Sequence, residues 1–411
     1  MIVGPRGRAR ATHVRGAQRH ISPFLLSADF TSLTPGAVAS LPAGLSFSRA
    51  SSATVQTSAS TVVTAGIGTD VARVGSADGT TIGLVIEPSR QNFAPDSRNM
   101  IAASWTAGIG TTTHPLTPAG PDGSSLTSRV QCATSQYSNY RLGAQGSSRR
   151  IGSTWVRTTS GSAGQAQPYI YDGTTVAAAL FSIGGTWSRV AVAQATSGSN
   201  SVSQFNPNSS QDLTANGGGA PGATDNCIDL VQIESGSWAS EAIVTSGAAA
   251  TRAGERLYLS SGASVVNVGR LSAYIKAQFK HSPANADSAF RVWSDHSDAT
   301  TYAEISTAGV LTVSVGGVTN TTTALAWAAG DIVELWIAAG GGVATVAKYR
   351  VTSGGVPGAI TTLTITGSTL GTYAPAGALD LFCDSSIAKQ PGMRLQSLQF
   401  YKAGQSPAGW A

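Results

Sequence analysis

Three acidic residues after Trp293 are the first side chains whose spacing could support chemistry. Asp295, Asp298 and Glu304 lie close together in the sequence. Two carboxyl groups that face each other across a cleft can hydrolyse a glycosidic bond, and oxygen ligands also suit a weak calcium site. Because the sequence does not show that these carboxyl groups converge, we favour solvent-facing loop residues. Calcium binding and catalysis are the two alternatives.

The spacings that mark most other catalytic or metal centres are missing. The histidines show neither an HExxH motif nor another metal-binding spacing, and there is no GxSxG nucleophile elbow or phosphate-binding loop. Cys132, Cys227 and Cys383 lie far apart without a CxxC pair, so we expect free buried thiols. The sequence therefore predicts a protein that is not an enzyme and has no cofactor.

Aromatic residues beside polar side chains form the other candidate sites. Flat rings cover the C–H faces of sugars, while amide, hydroxyl and carboxylate groups bind sugar hydroxyls. The alternative, which we favour for each cluster, is that the rings pack in a core or between subunits. We assign Trp155 and Trp187 to the core. The candidates for carbohydrate binding are Tyr137, Asn139, Tyr140, Arg141, Tyr169, Tyr171, Trp293, Asp295 and Tyr302.

Positive charge is concentrated at the N-terminus. The chain has 26 basic and 21 acidic residues, a net charge of +5, and five of the arginines precede the first acidic residue. A body without excess positive charge gives no support to nucleic-acid binding. The basic arm is suited to dock on an acidic protein surface; alternatively, it is simply solvated. The docking candidates are Arg6, Arg8, Arg10, Arg15 and Arg19.

Composition and periodicity predict an all-β protein. Charged residues make up only 11% of the chain and hydrophobic residues 41%, which with recurring strand-like runs argues against disorder. Short strands separated by Gly, Pro and Asn turns are typical of β-sandwiches. From Leu271 to Phe279 apolar and polar residues alternate, as in a half-buried antiparallel strand. No apolar run reaches the ~18 residues of a membrane helix, so we expect no membrane insertion.

These patterns divide the chain into an N-terminal anchor region followed by two antiparallel β-sandwich (jelly-roll) domains. Residues 1–22 are predicted to be an extended basic arm, and 23–95 an anchoring or oligomerisation region whose small core needs partners. Residues 96–250 would form a first sandwich and 251–411 a second one, which ends in an exposed tail at Trp410. The boundary follows a buried strand, with Ile228 and Leu230 on one face and Val231 and Ile233 on the other.

Three segments in order resemble motifs of bacteriophage spike and fibre proteins. FSRASSAT at 47–54 is similar to F-T-R-A-S-x-A-T, and GLVIEPSRQN at 83–92 to G-L-L-I-E-P-A-R-T-N. Residues 234–252 resemble the segment that closes the carbohydrate-binding-like domain of that family. They depart from it at Glu241-Ala242, where the family has Ser-Tyr, and at Val244, where it has Pro. The strand order after 256 also resembles a concanavalin-A-like lectin sandwich.

The resemblance implies a virion structural protein at the particle surface, in a tailed phage or a gene transfer agent. It would be a spike or fibre subunit that forms a homotrimer or another symmetric homo-oligomer. The N-terminus would bind capsid, portal or tail proteins, and the sandwiches would attach to host polysaccharide. Two alternatives stay open: a capsule depolymerase, and a capsid or tail decoration protein that binds no glycan.

Overall fold

The computed structural model describes residues 24–63, 67–102, 105, 111–116, 118–136, 149–174, 176–194 and 204–410. Within these ranges the regular structure is β-strand, apart from short 3₁₀ helices at Thr214–Asn216, Gly262–Val265 and Pro283–Asn285. The predicted all-β sandwich class is confirmed. In the described part of the chain, no helix has the length and apolar character needed to span a membrane.

Strands follow one another along the whole described chain, and we number them in chain order. The first group comprises β1 (Phe24–Asp29), β2 (Leu45–Ser48), β3 (Val55–Gln56), β4 (Val62–Val63), β5 (Val74–Ser76), β6 (Ile82–Ile86) and β7 (Arg90–Asn92). The second comprises β8 (Thr111–Leu116), β9 (Thr127–Cys132), β10 (Arg150–Thr158), β11 (Gly164–Ala166), β12 (Tyr169–Tyr171), β13 (Val176–Ala178), β14 (Phe181–Ile183), β15 (Ser188–Ala193), β16 (Gln204–Asn206) and β17 (Thr224–Ser235). The third comprises β18 (Ala250–Arg252), β19 (Arg256–Leu259), β20 (Val266–Asn267), β21 (Arg270–Phe279), β22 (Phe290–Asp295), β23 (Tyr302–Ile305), β24 (Val310–Val315), β25 (Val318–Ala324), β26 (Ile332–Gly340), β27 (Val346–Ser353), β28 (Val356–Pro357), β29 (Thr361–Thr362), β30 (Ile365–Gly367), β31 (Leu379–Leu381) and β32 (Met393–Tyr401).

Two antiparallel sheets build what we call the framework sandwich. Its front sheet has the order β28-β27-β26-β21-β32-β6-β5, with β1 beside β32, and its back sheet the order β2-β19-β31-β22-β23-β24-β25-β30. One apolar core lies between them. The alternation predicted for β21 is confirmed: Leu271, Ile275 and Phe279 are buried in this core. Tyr274 and Lys276 lie on the opposite, outer face of the front sheet.

The predicted separate region at 23–95 needs correction. Strand β1 pairs with β32, β2 pairs with β19, and β6 pairs with β32. Leu84 and Ile86 therefore lie in the same core as the C-terminal strands. The few apolar residues of this region share a core with distant strands of the same chain. Local periodicity in the sequence does not reveal such long-range pairing. An anchoring role for the region stays a prediction.

The second sandwich is an insertion in the first. Strands β7 and β18, which flank it, pair with each other from Asn92–Ala250 to Arg90–Arg252. Between them lie a sheet with the order β15-β10-β17-β9-β8 and smaller sheets formed by β13-β12-β16 and β11-β14, around a separate apolar core. Trp155 and Trp187 are buried, as predicted, and the three cysteine side chains are buried as well.

A β-bulge changes the faces predicted for β17. Leu230 has a φ of +48°, and the pairing of β10 with β17 shifts register between Ser153 and Trp155. Because a bulge adds one residue to one strand, side chains beyond it change sides. Ile228 therefore shares the inserted core with Val231, whereas Leu230 packs against Trp155 on the other side.

Asn92 fixes the point where the chain enters the inserted sandwich. Its side chain is fully buried, and its amide nitrogen donates to the carbonyls of Val231 (3.0 Å) and Ile243 (2.8 Å). Its oxygen accepts from the backbone amides of Ala94 and Ile233, both at 3.0 Å. These bonds tie the entering chain to β17 and to the segment that leaves the insertion.

A buried charged network lies where the two sandwiches meet. Arg73 contacts Glu255 at 2.7 Å and Glu87 at 2.9 Å, and Lys280 contacts Glu87 at 2.5 Å and Glu241 at 2.8 Å. Around this centre, Arg49 pairs with Glu255, Arg252 with Glu87, and Arg394 with Glu241. We call these residues the joint cluster: Arg49, Arg73, Glu87, Glu241, Arg252, Glu255, Lys280 and Arg394.

The basic residues of the joint cluster hold Glu87 and Glu241 ionised. Burial alone would raise the pKa of Glu241, but Lys280 and Arg394 hold it at about 2. Burial likewise opposes ionisation of Glu87, whose pKa is nevertheless held well below its usual range by Arg252 and Lys280. Removing one partner from such a network leaves a buried charge without compensation.

Replacing Glu241 with Gln tests the contribution of the cluster. Glu241→Gln takes one carboxylate from Lys280 and Arg394, so we expect a loss of about 3 kcal/mol in the free energy of unfolding. Asp225→Asn is the control, because Asp225 pairs with Arg129 and their side chains are 40% and 32% exposed, and we expect a loss of about 1 kcal/mol or less. Urea unfolding measures both, and equal losses would contradict the assigned role.

Asp229 is a buried carboxyl group in the inserted sandwich. Burial raises its pKa to about 7, although Arg98 lies 3.0 Å away. In the unfolded chain this group ionises near its ordinary pKa, so the folded state binds the proton more strongly. The contribution of Asp229 to stability therefore falls as the pH rises from about 4 to about 7.

Asp229→Asn removes this ionisation and should change the pH dependence of stability. The difference in unfolding free energy between the variant and the parent protein should shift in favour of the variant by roughly 2–4 kcal/mol as the pH rises from about 5 to about 8. Asp225→Asn is the matched control, because the hydrogen bond from Arg129 lowers the pKa of Asp225. Chemical unfolding across this range checks the prediction, which fails if the difference between variant and parent does not change with pH.

Candidate functional site

A groove opens among the loops at one end of the back sheet. It encloses about 620 Å³, and we call it the loop groove. The segment after β22, the turn between β24 and β25, and the connection before β31 form its walls. Its lining consists of Asp295, Ser297, Asp298, Thr301, Val315, Gly316, Val318, Gly371, Thr372, Tyr373, Ala374 and Ala376.

Asp295, a predicted site residue, organises the floor of the loop groove. It is the last residue of β22 and is 4% exposed. Its Oδ1 accepts hydrogen bonds from the amide (2.8 Å) and hydroxyl (2.7 Å) of Ser297, and its Oδ2 accepts one from the Tyr373 hydroxyl at 3.0 Å. The carboxylate therefore joins two walls of the groove.

Asp298 lies beside it and is held ionised by its own loop. Its carboxylate accepts hydrogen bonds from the hydroxyls of Thr300 and Thr301, each at 2.6 Å. These bonds lower the pKa of Asp298, which is the opposite of what a general acid requires. Glu304 does not join the groove lining, because it pairs with Arg291 at 2.9 Å and Lys389 at 2.7 Å.

The predicted aromatic residues of this sandwich lie behind or beside the groove. Trp293 is 1% exposed and stacks on Tyr373, with 6.1 Å between ring centroids. Tyr302 is half-buried, and the Arg291 guanidinium lies 3.5 Å from its ring centroid. These rings brace the loops and do not form a shared exposed platform. Sequence reasoning missed Tyr373, whose only local signal is an aromatic residue in a Gly- and Pro-containing loop.

The candidates in the inserted sandwich are placed differently. Tyr169 is buried and accepts a hydrogen bond from Gln204, while Tyr171 is half-buried and donates one to the Gly173 carbonyl. Both contact a small apolar cluster that contains Leu213. The remaining candidates lie outside the described residues: Tyr137, Asn139, Tyr140, Arg141, Arg6, Arg8, Arg10, Arg15 and Arg19.

The chemistry of the loop groove is that of hydroxyl recognition. Its described lining contains carboxylates and hydroxyl groups but no lysine, arginine or histidine. Val315 and Val318 add an apolar wall. Among the described residues, no group of three or more His, Cys, Asp or Glu side chains is arranged to hold a metal ion. The groove therefore suits a ligand that donates hydrogen bonds and carries no negative charge.

Comparison with known proteins gives little guidance. No family model and no curated protein matches the chain. Among solved structures, the tandem CBM22-1–CBM22-2 domain of Paenibacillus barcinonensis Xyn10C aligns with 79% of this chain and 94% of its own at 9% identity, with a TM-score of 0.25.

Tyr373→Phe tests how the groove is held together. The change removes the hydroxyl that donates to Asp295, so one oxygen of a buried carboxylate loses its donor. We expect a loss of about 1–3 kcal/mol in the free energy of unfolding. Tyr171→Phe is the control, and since its hydroxyl donates to an exposed glycine we expect a loss below about 0.5 kcal/mol. Thermal unfolding distinguishes them, and an unchanged Tyr373→Phe variant would contradict the assigned contact.

Proposed function

We propose that the protein binds carbohydrate, and that the loop groove takes a neutral saccharide. The observation that carries this proposal is the groove lining, where Asp295, Asp298 and Thr372 lie beside an apolar wall. Carboxylates accept hydrogen bonds from sugar hydroxyls, hydroxyl groups can both accept and donate them, and apolar side chains cover sugar C–H groups. The absence of basic residues from the described lining disfavours an acidic sugar at this position.

The size of the groove supports the same class of ligand. A volume of about 620 Å³ lies within the range of roughly 300–1,000 Å³ that small-molecule sites occupy. Asp295 and Asp298 are already positioned by hydrogen bonds from their own loop. A ligand would therefore bind without first ordering these side chains, which reduces the entropic cost of association.

We further propose that the chain is a structural subunit of a virion, in a spike or fibre at the particle surface. Support comes from the three ordered sequence segments at 47–54, 83–92 and 234–252. In this proposal the N-terminal arginines dock on capsid, portal or tail proteins, and identical chains form a homo-oligomer such as a trimer. The saccharide would belong to the polysaccharide of the host surface. Binding would need no cofactor, and the chain would not act as an enzyme.

A variant at the groove rim tests carbohydrate binding. Val318 is 43% exposed and lines the groove, so Val318→Arg should fill part of the groove without disturbing a core. We expect binding to the best neutral ligand of a glycan array to weaken about tenfold or more. Val356→Arg is the matched control, because Val356 is 71% exposed and lies outside the groove lining.

The same samples distinguish the alternatives. Binding that Val318→Arg weakens and Val356→Arg preserves, without shortening of the polysaccharide, supports the proposal. Shortening of the polysaccharide in size-exclusion chromatography would replace it with a depolymerase. A folded parent protein that binds no neutral glycan would overturn it and leave a decoration protein without this ligand.

A further inference from the structure

The outer face of the front sheet carries more basic than acidic residues. Lys276, Lys348 and Arg350 project from this face of β21 and β27. The described registers place Glu334 beside them and Asp29 on β1, across Ser397 from Lys276. Glu334 is already paired with Arg350 and Lys276. A surface with this excess of cations attracts anions.

The C-terminal tail lies on the same face, although the sequence predicts that it is exposed. Trp410 is 3% exposed, and its ring packs edge-on against Tyr274 with 5.7 Å between centroids. Lys348 donates to the Trp410 carbonyl at 2.6 Å. The apolar ring and this bond hold the tail against the sheet, and the expectation of an exposed tail was wrong.

A pocket of about 270 Å³ opens between this tail and the sheet. The sheet contributes a guanidinium, a hydroxyl and an aromatic ring, and the tail adds an amide and a second hydroxyl. We call this space the tail pocket. Its lining consists of Arg270, Ser272, Trp336, Ala338, Val346, Gly404, Gln405 and Ser406.

Arg270 is the unusual group in the tail pocket. Its Nε is buried and makes no hydrogen bond within the described structure, and its Nη2 makes only a long contact of 3.5 Å to the Ala344 carbonyl. No carboxylate of the described residues lies within ion-pair distance of it, whereas the other basic residues of the front sheet's outer face have polar partners. Arg270 is half-buried, and no described carboxylate balances its charge, so an anion that binds its guanidinium gains charge-assisted hydrogen bonds.

Neighbouring groups define what else the ligand must offer. Ser272 accepts a hydrogen bond from the Trp336 indole at 3.0 Å, so its own hydroxyl proton is free to be donated to a ligand. Ala338, Val346 and the edge of Trp336 give an apolar wall. A bare inorganic anion would leave this wall uncovered, whereas a sugar ring would cover it.

We propose that the tail pocket binds a carboxylate-bearing saccharide, a hexuronate unit, through a fork of hydrogen bonds from Arg270. The planar guanidinium matches the two oxygens of a carboxylate, Ser272 and Ser406 supply hydroxyls, and the apolar wall covers the ring. The site lies on the front sheet and the loop groove at the loops of the back sheet. The two sites therefore take saccharides of different charge. An experiment can disprove binding at one site without affecting the proposal for the other.

Isothermal titration of the full chain with oligoglucuronate tests this site. We expect Arg270→Gln to weaken binding about tenfold or more, because two charge-assisted hydrogen bonds are lost. Arg270→Lys keeps the charge but loses the fork, so we expect an intermediate loss of about threefold to fivefold. Lys276→Gln is the matched control, since it removes one charge from the same face outside the pocket lining, and we expect about a twofold loss at most.

Ligand controls separate the carboxylate from the sugar ring and from the loop groove. The glucose oligomer of the same length and linkage should bind the Val318→Arg variant, whose loop groove is blocked, at least tenfold more weakly than oligoglucuronate does, as about 1.4 kcal/mol of lost interaction implies. Acetate alone should bind more weakly still, and Val318→Arg should leave oligoglucuronate binding unchanged. Thermal unfolding of Arg270→Gln should match the parent protein, because Arg270 contributes only one long hydrogen bond.

Three results would overturn the proposal. Equal binding of the neutral and acidic oligomers by the Val318→Arg variant, in which the loop groove is blocked, would remove the role of the carboxylate. Equal losses of oligoglucuronate affinity in Arg270→Gln and Lys276→Gln would show that the whole basic face attracts the ligand and that no specific site binds it. Absence of oligoglucuronate binding by the folded parent protein would exclude the site altogether.

Discussion

Buried charge at the joint between the two sandwiches constrains the rest of the structure. Glu87, Glu241 and Glu255 are removed from water, and such carboxylates are tolerated only where cations and donors surround them. The arginines that outnumber them are satisfied in part by carbonyls, such as Arg49 by Ser51 and Gly68. These partners come from both halves of the framework and from the segment that leaves the insertion. The buried charges are therefore paired only when these segments are packed together as in the fold.

The sequence segments that resemble phage spike proteins converge on this joint and not on either candidate binding site. Arg49 and Glu87 belong to the joint cluster, and Asn92 makes its hydrogen bonds at the entrance to the insertion. Even the departure at Glu241 has a structural consequence, because its carboxylate pairs with Lys280 and Arg394. The residues of these segments therefore attach the inserted sandwich to its framework. They do not identify a ligand, which must be inferred from the pockets.

Local patterns predicted the elements better than their arrangement. Alternation from Leu271 to Phe279 identified β21 and its buried face, because side chains in a strand alternate with period two. The pairing of β2 with β19 joins residues about 200 positions apart, and neither strand carries a local signal for its partner. The bulge at Leu230 shifts the period of β17 by one residue. Of the candidate site, Asp295 was predicted from the aromatic and acidic residues near it in the sequence, whereas the contacts of Tyr373 and Arg270 arise only on folding.

The two candidate sites illustrate how one sandwich can separate ligands by charge. On the loops of the back sheet, Asp295 and Asp298 offer acceptor oxygens without a basic neighbour in the described lining, so a negatively charged sugar is disfavoured there. On the outer face of the front sheet, Arg270 has no acidic partner among the described residues, so a neutral sugar would leave its charge without a counter-ion. The apolar core between the sheets keeps these electrostatic environments apart. A polymer that contains both neutral and acidic residues could then contact both sites, and the combined affinity would depend on whether its length spans the sandwich.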